Sequence, residues 1–358
     1  MSKSSLILLT GGTGFVGAHV LHEILTTTDH RVRVMVRSDS KVDFIRNSYR
    51  DQGSERLEFF ELRDMHCAGS LSSSKALEGV EYIIHVASPF QLKVGDNRKD
   101  LIEPAVEMTR NVLEAANEVG RSVKRIVFTG SSSAILNPLR GMVNRDHTYT
   151  EKDWNPFTNA WLASWYGPLS YLTSKVLSER LIWEFVERDK PRFDVTVICP
   201  AIVYGPLLHK VDSASDLNES CRWVYELLDN ESVPKDKFPP FCDVRDVAKV
   251  HVLALENEKA SNQRYLLCSG NVSWQKVCDS VHDDPELSAI SKRLPVGRTG
   301  FDTLPKPLAV LDSTKVVNHF GIRFRDWEDS VIHGCLKQLV ELEKTWAKGG
   351  EKGVKDGI

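Results

Sequence analysis

The sequence predicts an α/β protein: a doubly wound parallel sheet with a smaller C-terminal substrate-binding lobe. Three observations predict it. Residues 5–17 read SLILLTGGTGFVG, an apolar run that opens into glycine-rich backbone and then into a helical pattern. Short β-branched runs alternate with helix-period segments through the first half of the chain, the pattern of a parallel sheet covered on both faces. Hydroxyl and cationic side chains cluster where strands end, the edge at which such sheets bind ligands.

The bulk numbers agree. At 358 residues the chain can bury a large core, and its net charge of −3 offers no field for nucleic acid or an anionic membrane. Small-molecule chemistry is the expectation, with neither nucleic acid nor membrane as partner. The start, MSKSSLILLTGG, is too short in its apolar part for a signal peptide, and no run reaches the length of a membrane span, so a cytoplasmic protein is expected. The cysteines at 67, 199, 221, 242, 268, 278 and 335 are scattered with no C-x-x-C pair. Reduced thiols, mostly in the core, and no metal site are expected.

In chain order, the first strand feeds a phosphate-binding turn. Gly12, Gly14 and Gly17 satisfy the dinucleotide fingerprint, which demands a tight turn, close backbone approach to a pyrophosphate and close helix–strand packing. The pyrophosphate would rest on the free N–H groups of the following helix, in which Val20, Leu21, Ile24 and Leu25 recur at helical spacing. A second strand follows, with Val32, Val34 and Val36 alternating. At its end, where an NAD-preferring fold carries an acid, stand Arg37 and then Lys41. Two cations there favour NADPH, since arginine grips a phosphate through paired hydrogen bonds; a solvated basic turn is the alternative.

Residues 57–62, 80–87 and 123–129 read as three further strands. After the third come Asp64, suited to an adenine amine, and Met65, suited to an adenine face. After the fourth come Ala87, Ser88 and Pro89, small enough to let backbone approach a cofactor. His85 reads as a satisfied core histidine rather than a ligand. The fifth strand ends in Val127-Phe128-Thr129-Gly130-Ser131-Ser132-Ser133, delivering hydroxyls to the sheet edge. Tyr171 and Lys175 then share a helix face at i and i+4. A cation there would lower the tyrosine pKa toward the range of a general acid and base. Tyr171 could protonate a carbonyl oxygen as hydride reaches its carbon, Ser131 could hydrogen-bond the same oxygen, and Lys175 could also hold the nicotinamide ribose. The Tyr/Lys spacing alone is common; the order of glycine turn, basic strand end, hydroxyl-rich strand end and this helix is what carries the reading.

That order resembles the extended short-chain dehydrogenase/reductase superfamily over about residues 5–343, and within it the dihydroflavonol-reductase-like branch of plant reductases and of yeast and fungal aldehyde, ketone and methylglyoxal reductases. The matching pieces are Thr10-Gly11-Gly12-Thr13-Gly14-Phe15-Val16-Gly17, Arg37 with Lys41, His85-Val86-Ala87-Ser88-Pro89, Val127-Phe128-Thr129 with Ser131, Glu151-Lys152-Asp153-Trp154 and Tyr171 with Lys175. Pro200 to Pro206 (PAIVYGP) and Asp243 to Ala248 (DVRDVA) follow. The resemblance implies a Rossmann-type fold, a Ser-Tyr-Lys catalytic set, NADP(H), and Pro200 and Val203 beside the nicotinamide. It places Thr10 to Gly17, Arg37, Lys41, Asp64, Met65, Val86 to Ser88, Thr129, Tyr171 and Lys175 at the cofactor. Two departures stand out. Gly130 replaces the family's first serine, leaving Ser131, Ser132 and Ser133 open, with counting from Val127 selecting Ser131. The stretch before the lysine lacks the pattern of cinnamoyl-CoA reductases, against a CoA thioester substrate. A nucleotide-sugar epimerase or dehydratase, a 3-hydroxysteroid dehydrogenase and a non-catalytic NADP-binding regulator are the competing readings.

The second half is read more coarsely. The connection 137–170 is rich in aromatics (Trp154, Phe157, Trp161, Trp165, Tyr166), which could line an apolar pocket or anchor the loop. Residues 194–206 read as a sixth strand and its exit, broken at Pro200; 221–228 as a helix; 246–255 as a helix returning to the sheet; and 264–268 as another strand. Leu311 to Gly321 reads as a helix with a glycine stop, and Trp327 to Trp346 as a last surface helix. The expected division is an NADP-binding domain over 4–203, with returning segments 241–268 and 311–346, a substrate-binding lobe over 204–240 and 269–310, and a disordered tail, 347–358. A monomer or homodimer is expected.

Overall fold

The computed structural model describes residues 4–51, 53–89, 95–140, 147–163, 165–236, 238–301, 303–304 and 308–348. The tail expected to be disordered falls, from residue 349 on, outside the described residues.

Seven parallel strands form the main sheet: β1 (Leu6–Thr10), β2 (Arg31–Val36), β3 (Leu57–Glu61), β4 (Val80–His85), β5 (Arg125–Thr129), β6 (Asp194–Pro200) and β7 (Gln263–Leu267). Their spatial order is β3-β2-β1-β4-β5-β6-β7, so the winding reverses between β1 and β4. That reversal is the switch point at which a doubly wound sheet binds ligands, outside the strands' carboxyl ends. Every residue of β1 is buried, as a strand covered on both faces requires.

The helices divide between two faces. Apolar residues of α1 (Phe15–Thr27), α2 (Val42–Ser48) and α5 (Val244–Glu256) share one core with Ile7, Leu9, Val32 and Val34. Those of α3 (Glu103–Glu118) and α4 (Gly167–Asp189) share another with Leu8, Ile83 and Ile126. Alternate residues of a strand point to opposite faces, which is why neighbours in β1 belong to different cores.

The lobe contains a sheet that no sequence pattern announces. Ile202–Tyr204 pairs in parallel with Pro240–Asp243, which pairs antiparallel with Gly270–Asn271. The expected lobe helix is present at Glu219–Tyr225, and the one closing on a glycine runs Thr314–Phe320 to Gly321, whose φ of 64° is the left-handed turn a glycine adopts freely. Leu311 lies before that helix, in a two-residue pairing with Thr148–Tyr149.

The last helical stretch, Glu328–Leu336 continuing as Lys337–Lys348, departs from the surface helix read in the sequence. Val331, Ile332, Cys335, Leu336 and Leu339 are wholly buried against Trp274, Val277 and Cys221 of the lobe. Its apolar residues therefore join the lobe's core, so this part of the segment 311–346 does not return to the sheet. Five cysteines are buried, Cys268 is half-buried, Cys67 is exposed, and all are free. No helix among the described residues is long and apolar enough to cross a membrane.

Candidate active site

The glycine turn between β1 and α1 leaves no room for a side chain at Gly11 or Gly17. Gly11 sits at φ 73°, and a Cβ there would lie 2.7 Å from the Ala87 nitrogen; one on Gly17 would lie 2.0 Å from the Gly11 carbonyl oxygen. The turn is closed by the Gly14 N–H donating to the Gly11 carbonyl at 3.0 Å. The tight-turn role thus belongs to Gly11 and not, as the fingerprint spacing predicts, to Gly12, which packs against Leu9 and Val34. Gly14, by contrast, meets only the Gly11 oxygen at 3.5 Å, so its Cα side is open to an incoming group. Thr13 lines a cleft beside the turn, Phe15 is buried in the lobe's core, and Val16 packs against two cores.

The ends of β1 and β4 are tied together. Thr10 Oγ1 lies 2.8 Å from His85 Nδ1 and accepts from the Ala87 N–H at 3.2 Å, while the Val86 N–H donates to the Thr10 carbonyl. Burial, reinforced by the Lys175 charge, pushes His85 down to about 3, so the imidazole is neutral and structural. At the end of β2, Arg37 and Lys41 are exposed and neither has a carboxylate partner among the described residues. Asp64 is exposed; Met65 is buried in the core, its carbonyl held by Asn111 Nδ2 at 2.8 Å, which leaves little of its side chain to face a ligand.

At the end of β5 the structure distinguishes the three serines. The Ser131 side chain is hydrogen-bonded to Tyr171. Its Oγ also accepts from the Ser133 N–H at 3.1 Å, capping the short turn Ser132–Ala134. Gly130 is glycine for want of space: a Cβ would meet Val197 at 2.9 Å and the Cys199 sulfur at 3.1 Å. Thr129 donates its hydroxyl to His251 Nε2 at 2.8 Å, since His251 Nδ1 is committed to the Val247 carbonyl; its side chain thus serves the core. Pro200 is buried as the last residue of β6, and the Val203 carbonyl accepts from Ser220 Oγ at 2.6 Å.

Tyr171 and Lys175 are half-buried on α4, which starts with Pro168 in its first turn. Lys175 Nζ donates to Ser88 Oγ at 3.0 Å and stands 5.7 Å from the centre of the Tyr171 ring. The lowered phenol pKa expected from that spacing is not found. Burial pushes Tyr171 upward, opposed by its hydrogen bond to Ser131, and burial pushes Lys175 down to about 8. For the phenol, desolvation is the dominant influence and sets the direction of the shift. The phenol is therefore held protonated, as a proton donor must be.

Two supports escaped the sequence reading. Asn155, wholly buried, donates from Nδ2 to the Ser133 carbonyl at 2.8 Å and from its backbone N–H to the Ala134 carbonyl at 2.8 Å, fixing the serine turn. Arg264 on β7 grips Glu179 of α4 with two bonds of 2.6 and 3.0 Å and donates to the Glu151 and Asp153 carbonyls at 2.8 Å each. It also lies 3.9 Å from the Trp154 ring centre. Trp154 is thereby an anchor for the loop. Trp165 and Tyr166 are exposed, and the side chain of Trp161 lies outside the described residues.

Together these features define an α/β protein of Rossmann type whose sheet edge brings Ser131, Tyr171 and Lys175 together beside a glycine turn. Residues 7–268 match the NAD dependent epimerase/dehydratase family, and the chain belongs to it. The resemblance to extended short-chain dehydrogenases/reductases is borne out. The chain is 38% identical to an uncharacterised oxidoreductase of Schizosaccharomyces pombe over 77% of its own length and 81% of that protein's. It is 30% identical to a ketoreductase of Aspergillus niger over 94% and 98%. Among solved structures, yeast methylglyoxal/isovaleraldehyde reductase Gre2 complexed with NADPH superposes with a TM-score of 0.84 at 26% identity, covering 95% of this chain and 99% of that one.

Proposed function

We propose that this chain is an NADPH-dependent reductase of small aldehydes or ketones, converting a carbonyl to an alcohol. The observation that carries the reading is the Ser131–Tyr171 hydrogen bond with Lys175 beside the same ring, at the edge where the glycine turn opens. The residues fit the cofactor. A turn that excludes a Cβ at Gly11 and Gly17 and stays open at Gly14 admits a pyrophosphate to its backbone N–H groups, and Arg37 and Lys41, without carboxylate partners among the described residues, suit a ribose 2′-phosphate. Asp64 would flank the adenine, with Met65 kept in the core behind it, Val86 to Ser88 and Thr129 would offer backbone, Pro200 and Val203 would border the nicotinamide, and Lys175 would also reach its ribose. Relatives named for ketones and for methylglyoxal and isovaleraldehyde support the substrate class.

Bound NADPH supplies the hydride that ends on the carbonyl carbon. Tyr171, protonated, gives its proton to the carbonyl oxygen, while Ser131 donates a hydrogen bond to that oxygen and stabilises its developing charge. The resulting phenolate is neutralised by a proton from solvent, and Lys175 favours it meanwhile. The same groups run the oxidation in reverse. A cytosolic location and a monomeric or homodimeric state, as read from the sequence, accompany this proposal.

The test is NADPH consumption on a panel of aldehydes, diketones and ketones, with Tyr171→Phe as the diagnostic variant. Turnover should fall by about 10²- to 10⁴-fold while NADPH binding is retained. Undiminished turnover in that variant would discard the assigned acid.

A further inference from the structure

The chain leaving the small sheet crosses beside the glycine turn, and it is built in place. His19 Nε2 of α1 donates to the Pro206 carbonyl at 2.7 Å, and Gln338 holds the Leu207 N–H and carbonyl at 2.5 and 2.9 Å. The His209 ring meets Phe15 edge-on at 5.9 Å. Under this strap lies a cleft lined by Gly12 and Thr13 of the turn, Lys41 at the foot of α2, and His209 and Lys210 of the strap. Its enclosed part, about 20 Å³, has room for a single oxygen-sized group, so a ligand would engage it by one atom from its rim. His209 Nδ1 is a buried polar atom with no partner among the described residues, a state that costs stability unless a ligand completes it. Burial and the Lys41 charge hold that imidazole neutral, pushed down to about 4, so at neutral pH it brings no charge and can donate from Nδ1 only in the tautomer that carries the proton there. Lys210 pairs with Asp212 at 2.7 Å on the exposed side.

We propose that the strap Leu207–Lys210 supplies the lobe's half of the subsite for the phosphate on the adenosine ribose, with His209 Nδ1 and Lys210 lying across the cleft from Lys41. This rests on the NADPH reading above. It makes the lobe, and not the sheet domain alone, a determinant of the choice between NADPH and NADH.

The experiment is calorimetric titration of the full chain with adenosine 2′,5′-bisphosphate and with adenosine 5′-monophosphate, which lacks the 2′-phosphate. Lys210→Ala and His209→Phe, the latter keeping a ring against Phe15, should each weaken the bisphosphate about tenfold, the worth of one hydrogen bond to a charged group, and leave the monophosphate unchanged. His209→Asn, which restores an N–H donor, should recover most of the loss. Equal weakening of both nucleotides, or wild-type bisphosphate affinity in both variants while Arg37→Ala loses it, overturns the strap's role and leaves the reductase standing. A wild-type chain that does not prefer the bisphosphate overturns the NADPH reading itself.

Discussion

The turn after β1 and the turn after β5 end buried strands at the same sheet edge, yet they are held in opposite ways. The first is shaped by what is missing: Gly11 and Gly17 approach backbone so closely that no side chain fits. The second is shaped by what reaches it from elsewhere. Asn155 ties down the serine turn from twenty-two residues away, and Tyr171 arrives from a helix that Arg264 of a distant strand clamps through Glu179. A phosphate cradle can be specified by a local run of sequence. An acid–base site has to be assembled across the fold.

The sharpest way to break this contrast is Gly17→Ala. The new Cβ would fall 2.0 Å from a backbone oxygen that cannot swing aside, so the chain should lose at least about 3 kcal/mol of stability. An unchanged midpoint in chemical denaturation would show that the turn yields. Next comes Arg264→Met, which strands the wholly buried Glu179 carboxylate and should cost about 3–5 kcal/mol. Adding Glu179→Met should recover most of that, because the uncompensated charge goes with its partner. If the double variant is as unstable as the single one, the clamp acts by packing alone.

The smallest effect separates chemistry from folding. Lys175 sits at about 8 in the folded chain against an ordinary 10.5, while burial raises Tyr171 above its ordinary value. For reduction, kcat/KM should therefore decline above pH 8, approaching tenfold per unit as the ammonium is lost. Between 8 and 10.5 the unfolded chain binds the more protons at this lysine, so its contribution to stability rises with pH over the same range. Parallel rate and denaturation profiles that move together would contradict this assignment.

What the sequence made legible follows the same division. β1, the glycine run and α1 are contiguous, and their burial pattern and spacing can be read without knowing the rest. Even there the fingerprint alone named Gly12 for a role that φ and the approach of Ala87 assign to Gly11. Tyr171 and Lys175 were legible because a helix places i and i+4 together. The sign of the phenol shift was not, since it depends on how much of the fold covers the ring. The choice among Ser131, Ser132 and Ser133 and the anchoring role of Trp154 likewise needed partners more than a hundred residues distant in the case of Arg264.

Only Ala201 separates the end of β6 at Pro200 from the first strand of the small sheet at Ile202. Its N–H is bound to the Leu267 carbonyl at 2.8 Å, and the Ser269 N–H returns to the Phe241 carbonyl at 2.7 Å, so these two crossings are stitched at the junction, while a third passes from Asp243 straight into α5 with no linker. With no slack in these threads, the small sheet is held to the edge of the large one by chain segments of one or two residues, and its register against that edge is fixed covalently.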